Sequence, residues 1–208
     1  IMVKVLDRKG NGYSSDVLAG ISWVLERKEQ LGIRILNISV GACSKRGMSE
    51  NSALVKGVNR AWDAGLVVVV AAGNNGPRTM SITTPGISRK VITVGCSDDD
   101  REVLVGGNRM VDYSGRGPTA ACICKPDLVA PGCSVVSCSS RADKYTIKSG
   151  TSMSTPIVSG AVALLLERFP DMSNKDVKLR LRESSVDIGL PRNQQGWGLL
   201  DVGKMLER

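Results

Sequence analysis

At 208 residues the chain has the size of one domain and buries about 70–75% of its unfolded surface, so it needs no disulfide or metal scaffold to fold. Aromatic residues make up only 3% and there are 23 glycines, so the core must be built from Val, Ile, Leu, Ala and Met with many close backbone approaches, which suits a layered α/β protein. The net charge of +8 would fit a nucleic-acid partner, but the basic residues are scattered through Arg27-Lys28, Lys45-Arg46, Arg89-Lys90 and 175–182, without interleaved aromatics or a nucleic-acid motif; they read as solvated surface.

In chain order, residues 2–6 alternate as a short strand and 7–12 are turn chemistry. A helix follows, capped by Ser14 or Ser15, with Val17, Leu18, Ile21, Trp23, Val24 and Leu25 as its buried stripe and Gly32 as its stop. Residues 33–40 read as a strand, 41–47 as a loop, and 49–64 as a helix closed by Gly65. Residues 66–72 have no polar face, the pattern of a parallel strand covered on both sides. Strand, helix, strand, helix, strand predicts a doubly wound, mostly parallel sheet with helices on both faces.

Further on, 91–94 is a strand, 98–101 and 106–108 are turns, and Asp98-Asp99-Asp100 reads as a solvated turn. Residues 114–118 and 125–132 read as proline- and glycine-punctuated connections, and 134–137 as another strand. A long helix runs to Phe169-Pro170, a cationic amphipathic helix covers 173–181, and 196–205 is a closing segment. With no internal repeat, low-complexity tract or linker, residues 1–208 form one unit.

The inventory adds three constraints. The chain begins at Ile1, which is not a translation initiator, and it is read as a piece of a longer protein. It contains no histidine, and no apolar run reaches the roughly 18–20 residues of a membrane helix, so a soluble protein is expected. Of the six cysteines, Cys122, Cys124, Cys133 and Cys138 have spacings unlike those of structural zinc; free thiols are expected, which favours a reducing, cytoplasmic setting.

The most informative stretch is Gly150-Thr151-Ser152-Met153-Ser154-Thr155-Pro156, ahead of the apolar residues 157–166. It reads as an exposed serine at the start of a helix that is apolar on nearly all faces and runs through the core. The bland reading is an ordinary N-cap. Chemistry in an open parallel sheet collects beyond the carboxyl ends of the strands, and two such ends deliver Asn74 and Ser39-Val40-Gly41 toward this serine.

Ala72-Gly73-Asn74, the Gly150 to Pro156 stretch, Asn37-Ile38-Ser39-Val40-Gly41 and Pro126-Asp127-Leu128-Val129-Ala130-Pro131-Gly132 together resemble subtilisin-type serine proteases, in the right order and over nearly the whole chain. The resemblance implies the C-terminal two-thirds of a catalytic domain. Ser152 would be the nucleophile, and Asn74 with the backbone N–H of Ser152 would stabilise the oxyanion. Ser39, Val40 and Gly41 would pair with an extended peptide substrate, and Ala72 and Gly73 would line the pocket for the side chain before the scissile bond. No cofactor is needed for the chemistry. Calcium is a structural ion of the family, but no ligands for it are assignable.

The departures matter equally. In the family the aspartate and histidine precede the serine, and neither is found here; they would lie on a missing N-terminal segment. Without a base Ser152 stays protonated, so the chain alone is expected to be inactive. Lys148, four residues before Ser152, is the local substitute base considered, as in Ser-Lys dyads. A non-catalytic pseudoprotease acting as a binding or regulatory protein is the other reading. Losing the N-terminal segments would also expose strand edges and core surface, which predicts self-association of the fragment.

Overall fold

Four parallel strands in the order β1-β2-β3-β6 form the central sheet of the computed structural model, which describes residues 1–41, 50–140 and 144–207. They are β1 (Ile35–Ile38), β2 (Val67–Ala71), β3 (Ile92–Cys96) and β6 (Leu128–Ala130), in register through pairs such as Ile38↔Val70, Ala71↔Val94 and Cys96↔Ala130. Every residue of β2, β3 and β6 is buried, because helices cover both faces and leave no solvated side to alternate toward. Helix α3 (Thr151–Arg168) lies across all four strands; α2 (Ala53–Asp63) packs on β2 and against α1 (Ser14–Arg27). The sheet and its helices form the expected α/β architecture. Two antiparallel hairpins, β4 (Val103–Val105) with β5 (Asn108–Met110) and β7 (Val135–Cys138) with β8 (Tyr145–Lys148), project from it.

Local chemistry explains the boundaries. Ser52 caps α2 by accepting the Val55 N–H, and Ser173 with Asp176 forms a reciprocal capping box at the start of α4 (Asn174–Ser184). At α1 the cap position belongs to Tyr13, whose N–H donates to the Asp16 carboxylate, rather than to Ser14 or Ser15. The short helices α5 (Arg192–Gln195) and α6 (Val202–Leu206) bracket a closing segment in which Leu199 bridges to Val129 and Val186. No helix among the described residues is long and apolar enough to cross a membrane.

Several expectations change. Residues 2–6 form no strand: Val3 and Val5 lie against α1 at Gly20, but the segment has no ladder partner among the described residues. Residues 125–132 are more than a connection, since Leu128–Ala130 completes the parallel sheet despite the flanking prolines. The second strand of the β7–β8 hairpin has no counterpart in the sequence reading. The predicted loop at 41–47 lies outside the described residues beyond Gly41, as do Cys43, Lys45, Arg46 and the first predicted helix residue, Ser49. Most significantly, α3 is not buried all round: Pro156, Gly160, Ala163 and Leu164 are exposed, Leu164 at 47%.

The basic residues are also less solvated than their scatter implies. Lys125 is 1% exposed and donates to Asp127 Oδ2 at 2.5 Å and to the Val91 carbonyl at 3.1 Å. Lys178 reaches Asp127 Oδ1 at 3.4 Å and the carbonyls of Arg89, Lys90 and Val91, with Trp62 and Trp197 against its ammonium. Burial holds the Lys125 ammonium below its ordinary range, at about 8, with the Lys178 charge adding to this and Asp127 opposing it. The cluster pins the start of β6 to β3, where Asp127 Oδ2 also accepts the Thr93 N–H at 2.7 Å, and to the loop before β3, whose carbonyls the two lysines hold.

Candidate active site

The carboxyl ends of β1 and β2 and the amino end of α3 meet at one point. Strand β1 delivers Ser39, β2 delivers Gly73 and Asn74, and α3 presents Ser152 in its first turn, half-buried rather than fully exposed. The Ser152 hydroxyl donates to the Ser39 carbonyl at 2.8 Å. Lys148 stands exposed on β8, where it lines a groove of about 400 Å³ together with Val135, Val136, Met153 and Ile157.

Asn74 is oriented by Thr151. Its Oδ1 accepts the Thr151 N–H at 3.0 Å and the Thr151 hydroxyl at 3.1 Å, while Thr151 Oγ1 accepts the Gly73 N–H at 3.1 Å. With the oxygen so engaged, the amide NH2 must face the other way, over Gly150. A β-carbon built on Gly150 would lie 3.2 Å from Asn74 Nδ2, and Gly150 has φ +138°, so glycine leaves this donor uncovered. Among the described residues neither Asn74 Nδ2 nor the Ser152 N–H has a partner. Both are donors at a helix N-terminus, where the dipole favours negative charge.

The remaining predicted residues are placed as follows. Gly41 is exposed and Val40 half-buried, beside Leu54 and Pro85. Ala72 is fully buried and offers its carbonyl inward to Thr83, whereas Gly73 is half-buried and closer to the surface. Thr151, completely buried, was not singled out in the sequence; a hydroxyl directly before the candidate nucleophile was the signal for it.

Behind the site lies a second layer. The Gly150 N–H donates to the Gly132 carbonyl at 2.9 Å, which also receives the Tyr113 hydroxyl at 3.2 Å. Asp98 Oδ1 accepts from the N–H groups of Gly132 and Cys133 and from the Cys96 thiol. Burial pushes the Cys96 thiol up to about 12, so it stays protonated and serves as a donor rather than a nucleophile. Of Asp98 to Asp100 only Asp100 is solvated: Asp99 is buried, its Oδ2 accepts the Ser114 N–H at 2.7 Å, and burial raises its pKa. Carboxylate oxygens occupied by N–H donors do not suit a calcium site. The five described cysteines, Cys96, Cys122, Cys124, Cys133 and Cys138, are free thiols.

A serine, an asparagine amide and a helix N-terminus thus converge beyond the carboxyl ends of a parallel sheet, with donors placed where negative charge is favoured. The sequence matches the model of the Subtilase family, Peptidase_S8, over residues 1–198, and the chain belongs to that family. It is 38% identical to serine protease AprX of Bacillus subtilis over 89% of this chain and 46% of that protein. It is 34% identical to subtilisin DY of Bacillus licheniformis over 96% of this chain and 65% of that protein. The chain thus spans about half to two-thirds of the length of these curated relatives. Among solved structures it superposes on sphericase with a TM-score of 0.78 at 31% identity, covering 96% of this chain and 67% of that one.

Proposed function

We propose that these residues are the C-terminal two-thirds of the catalytic domain of a subtilisin-like serine endopeptidase, with Ser152 as nucleophile. The observation that carries this reading is the orientation of Asn74: Thr151 takes its oxygen and leaves its NH2, beside the Ser152 N–H, for an oxyanion. Ser152 Oγ adds to the scissile carbonyl as its proton passes to a histidine on a preceding segment. The oxyanion then collapses to the acyl-enzyme as the protonated base delivers its proton to the leaving amine, and water releases the acyl group.

Two open surfaces support a preceding segment that carries the aspartate and histidine. One is an apolar slot of about 490 Å³ between residues 2–6 and 36–40, floored by Val17, Gly20, Ile21 and Val24. The other is the exposed face of α3. They adjoin, since Asn37 on β1 accepts the Ser159 hydroxyl of α3 at 2.9 Å. The 208 residues alone are inactive in this reading, because the Ser152 proton rests on a carbonyl, which is not a base.

A fluorophosphonate probe tests the proposal. Ser152 of the full-length protein becomes labelled and that of the isolated chain does not. Asn74→Ala in the full-length protein lowers kcat by about 10²–10³, the loss that removing an oxyanion donor causes in subtilisin itself. Full-length protein that binds peptides but is never labelled is instead a pseudoprotease acting as a binding or regulatory protein.

A further inference from the structure

We infer that Asp98, which makes no hydrogen bond to Ser152 or Asn74 among the described residues, is a positioning residue for the oxyanion donors: it clamps the backbone from which the chain before Ser152 is suspended. This rests on the endopeptidase reading above. Asn74 Nδ2 faces Gly150, and the Ser152 N–H follows Gly150 by two residues, so the backbone at 149–151 sets the distance between the two donors. That backbone is held from behind at two points. The Gly150 N–H donates to the Gly132 carbonyl at 2.9 Å, and Ser149 Oγ accepts the Ser134 N–H at 2.9 Å.

Residues 131–134 lie between β6 and β7, outside either ladder, so their own place needs another anchor. One carboxylate oxygen supplies it. Asp98 Oδ1, just past the end of β3, accepts the N–H groups of Gly132 and Cys133 and the Cys96 thiol at 2.8, 3.0 and 3.1 Å. Two consecutive N–H groups on one anionic oxygen form a backbone nest, and charge-assisted bonds of this kind are about twice as strong as neutral ones. The peptide unit joining Gly132 to Cys133 is therefore held at both ends: its N–H by Asp98, its carbonyl by the Tyr113 hydroxyl at 3.2 Å and by Gly150. It has no room to drift. A β-carbon on Gly132 would run into Ser154 Oγ in the first turn of α3 and lie 2.9 Å from Cys96 Sγ and 3.0 Å from the Gly150 carbonyl oxygen. Thr151, which orients Asn74, follows Gly150 directly, so a shift of this unit passes to both donors. A misplacement of about 1 Å can cost about 10²-fold in rate.

The test uses full-length protein and a fluorogenic peptide, with kcat referred to sites counted by fluorophosphonate labelling of Ser152. Asp98→Ala is expected to lower kcat by about 10–100-fold with KM unchanged. Asp98→Asn, which keeps Oδ1 as an acceptor, recovers most of that loss. Because the effect travels through the oxyanion donors, the loss shrinks severalfold when Asp98→Ala is made in an Asn74→Ala background. Tyr113→Phe, which removes one bond to the Gly132 carbonyl, acts in the same direction by less and decides the matter if Asp98→Ala does not fold. A kcat per labelled site that stays at the wild-type value while the melting temperature falls, or a loss that adds in full to that of Asn74→Ala, overturns the inference and leaves the endopeptidase reading standing. Absence of labelling and cleavage in the wild type removes that reading, and this inference with it.

Discussion

The two edges of the sheet differ sharply. On the β6 edge the closing segment seals the sheet: Val129 donates to Gly198, Leu200 donates to Val129, and the buried Lys125 and Asp127 with the half-buried Lys178 tie strand, loop and helix together. On the β1 edge the strand pairs only with β2 among the described residues, an apolar slot lies open beside it, and α3 turns Ala163 and Leu164 to solvent. One edge has spent its polar groups internally. The other presents unpaired backbone and apolar surface, the combination that recruits another strand or another copy. The candidate site, where Ser152, Ser39 and Asn74 come together, sits at this second edge.

Breaking the sealed edge should have the largest effect. Asp127→Ala leaves the Lys125 ammonium buried without its partner and is expected to cost about 3–5 kcal/mol, read by thermal or urea unfolding. Lys125→Met, which removes that ammonium and keeps the volume, is expected to cost less, because the Asp127 carboxylate keeps the Thr93 N–H and Lys178 as partners. The same pair carries a pH signature. Lys125 is held at about 8 in the folded state against an ordinary 10.5, so the unfolded chain binds the extra proton between those values. Stability of the wild type relative to Lys125→Met therefore rises as pH goes from about 8 to 10.5 and is flat below, a sign that paired unfolding curves check.

At the open edge, Leu164→Lys should change the stability of the isolated chain by less than about 0.5 kcal/mol and reduce its self-association in sedimentation. In full-length protein the same change should cost about 2 kcal/mol or more, because a charge would then be buried under the preceding segment. Equal tolerance in both would mean that nothing covers α3. The smallest effect is expected between the edges. Among the described residues Ser154 Oγ is buried without a hydrogen-bond partner, so Ser154→Ala should leave the melting temperature unchanged or raise it by an amount worth up to about 1 kcal/mol.

How much was legible follows from what each signal depends on. The run 66–72 announced a buried central strand, and Ser173 with Asp176 announced a helix start, because both patterns are complete within a few residues. Residues 2–6 carry a strand pattern yet form none, and Leu128 to Ala130 form one between prolines, because strand identity is settled by the partner. Asp99 reads as a turn residue and is buried, since its acceptor role depends on Ser114 fifteen positions away.

By itself the sequence determined the α/β class, the serine and asparagine of the candidate site, and the absence of any histidine base. Periodicity, glycine placement and residue inventory are properties of the chain. Only the tertiary structure decided that Thr151 turns the Asn74 amide outward, that Thr83 fills the gap between Gly41 and Gly73, and that α3 has a bare face. The first two are contacts between residues separated in the chain and brought together by the packing of the loops and α3 at the ends of the strands; the third depends on which face of α3 the sheet covers.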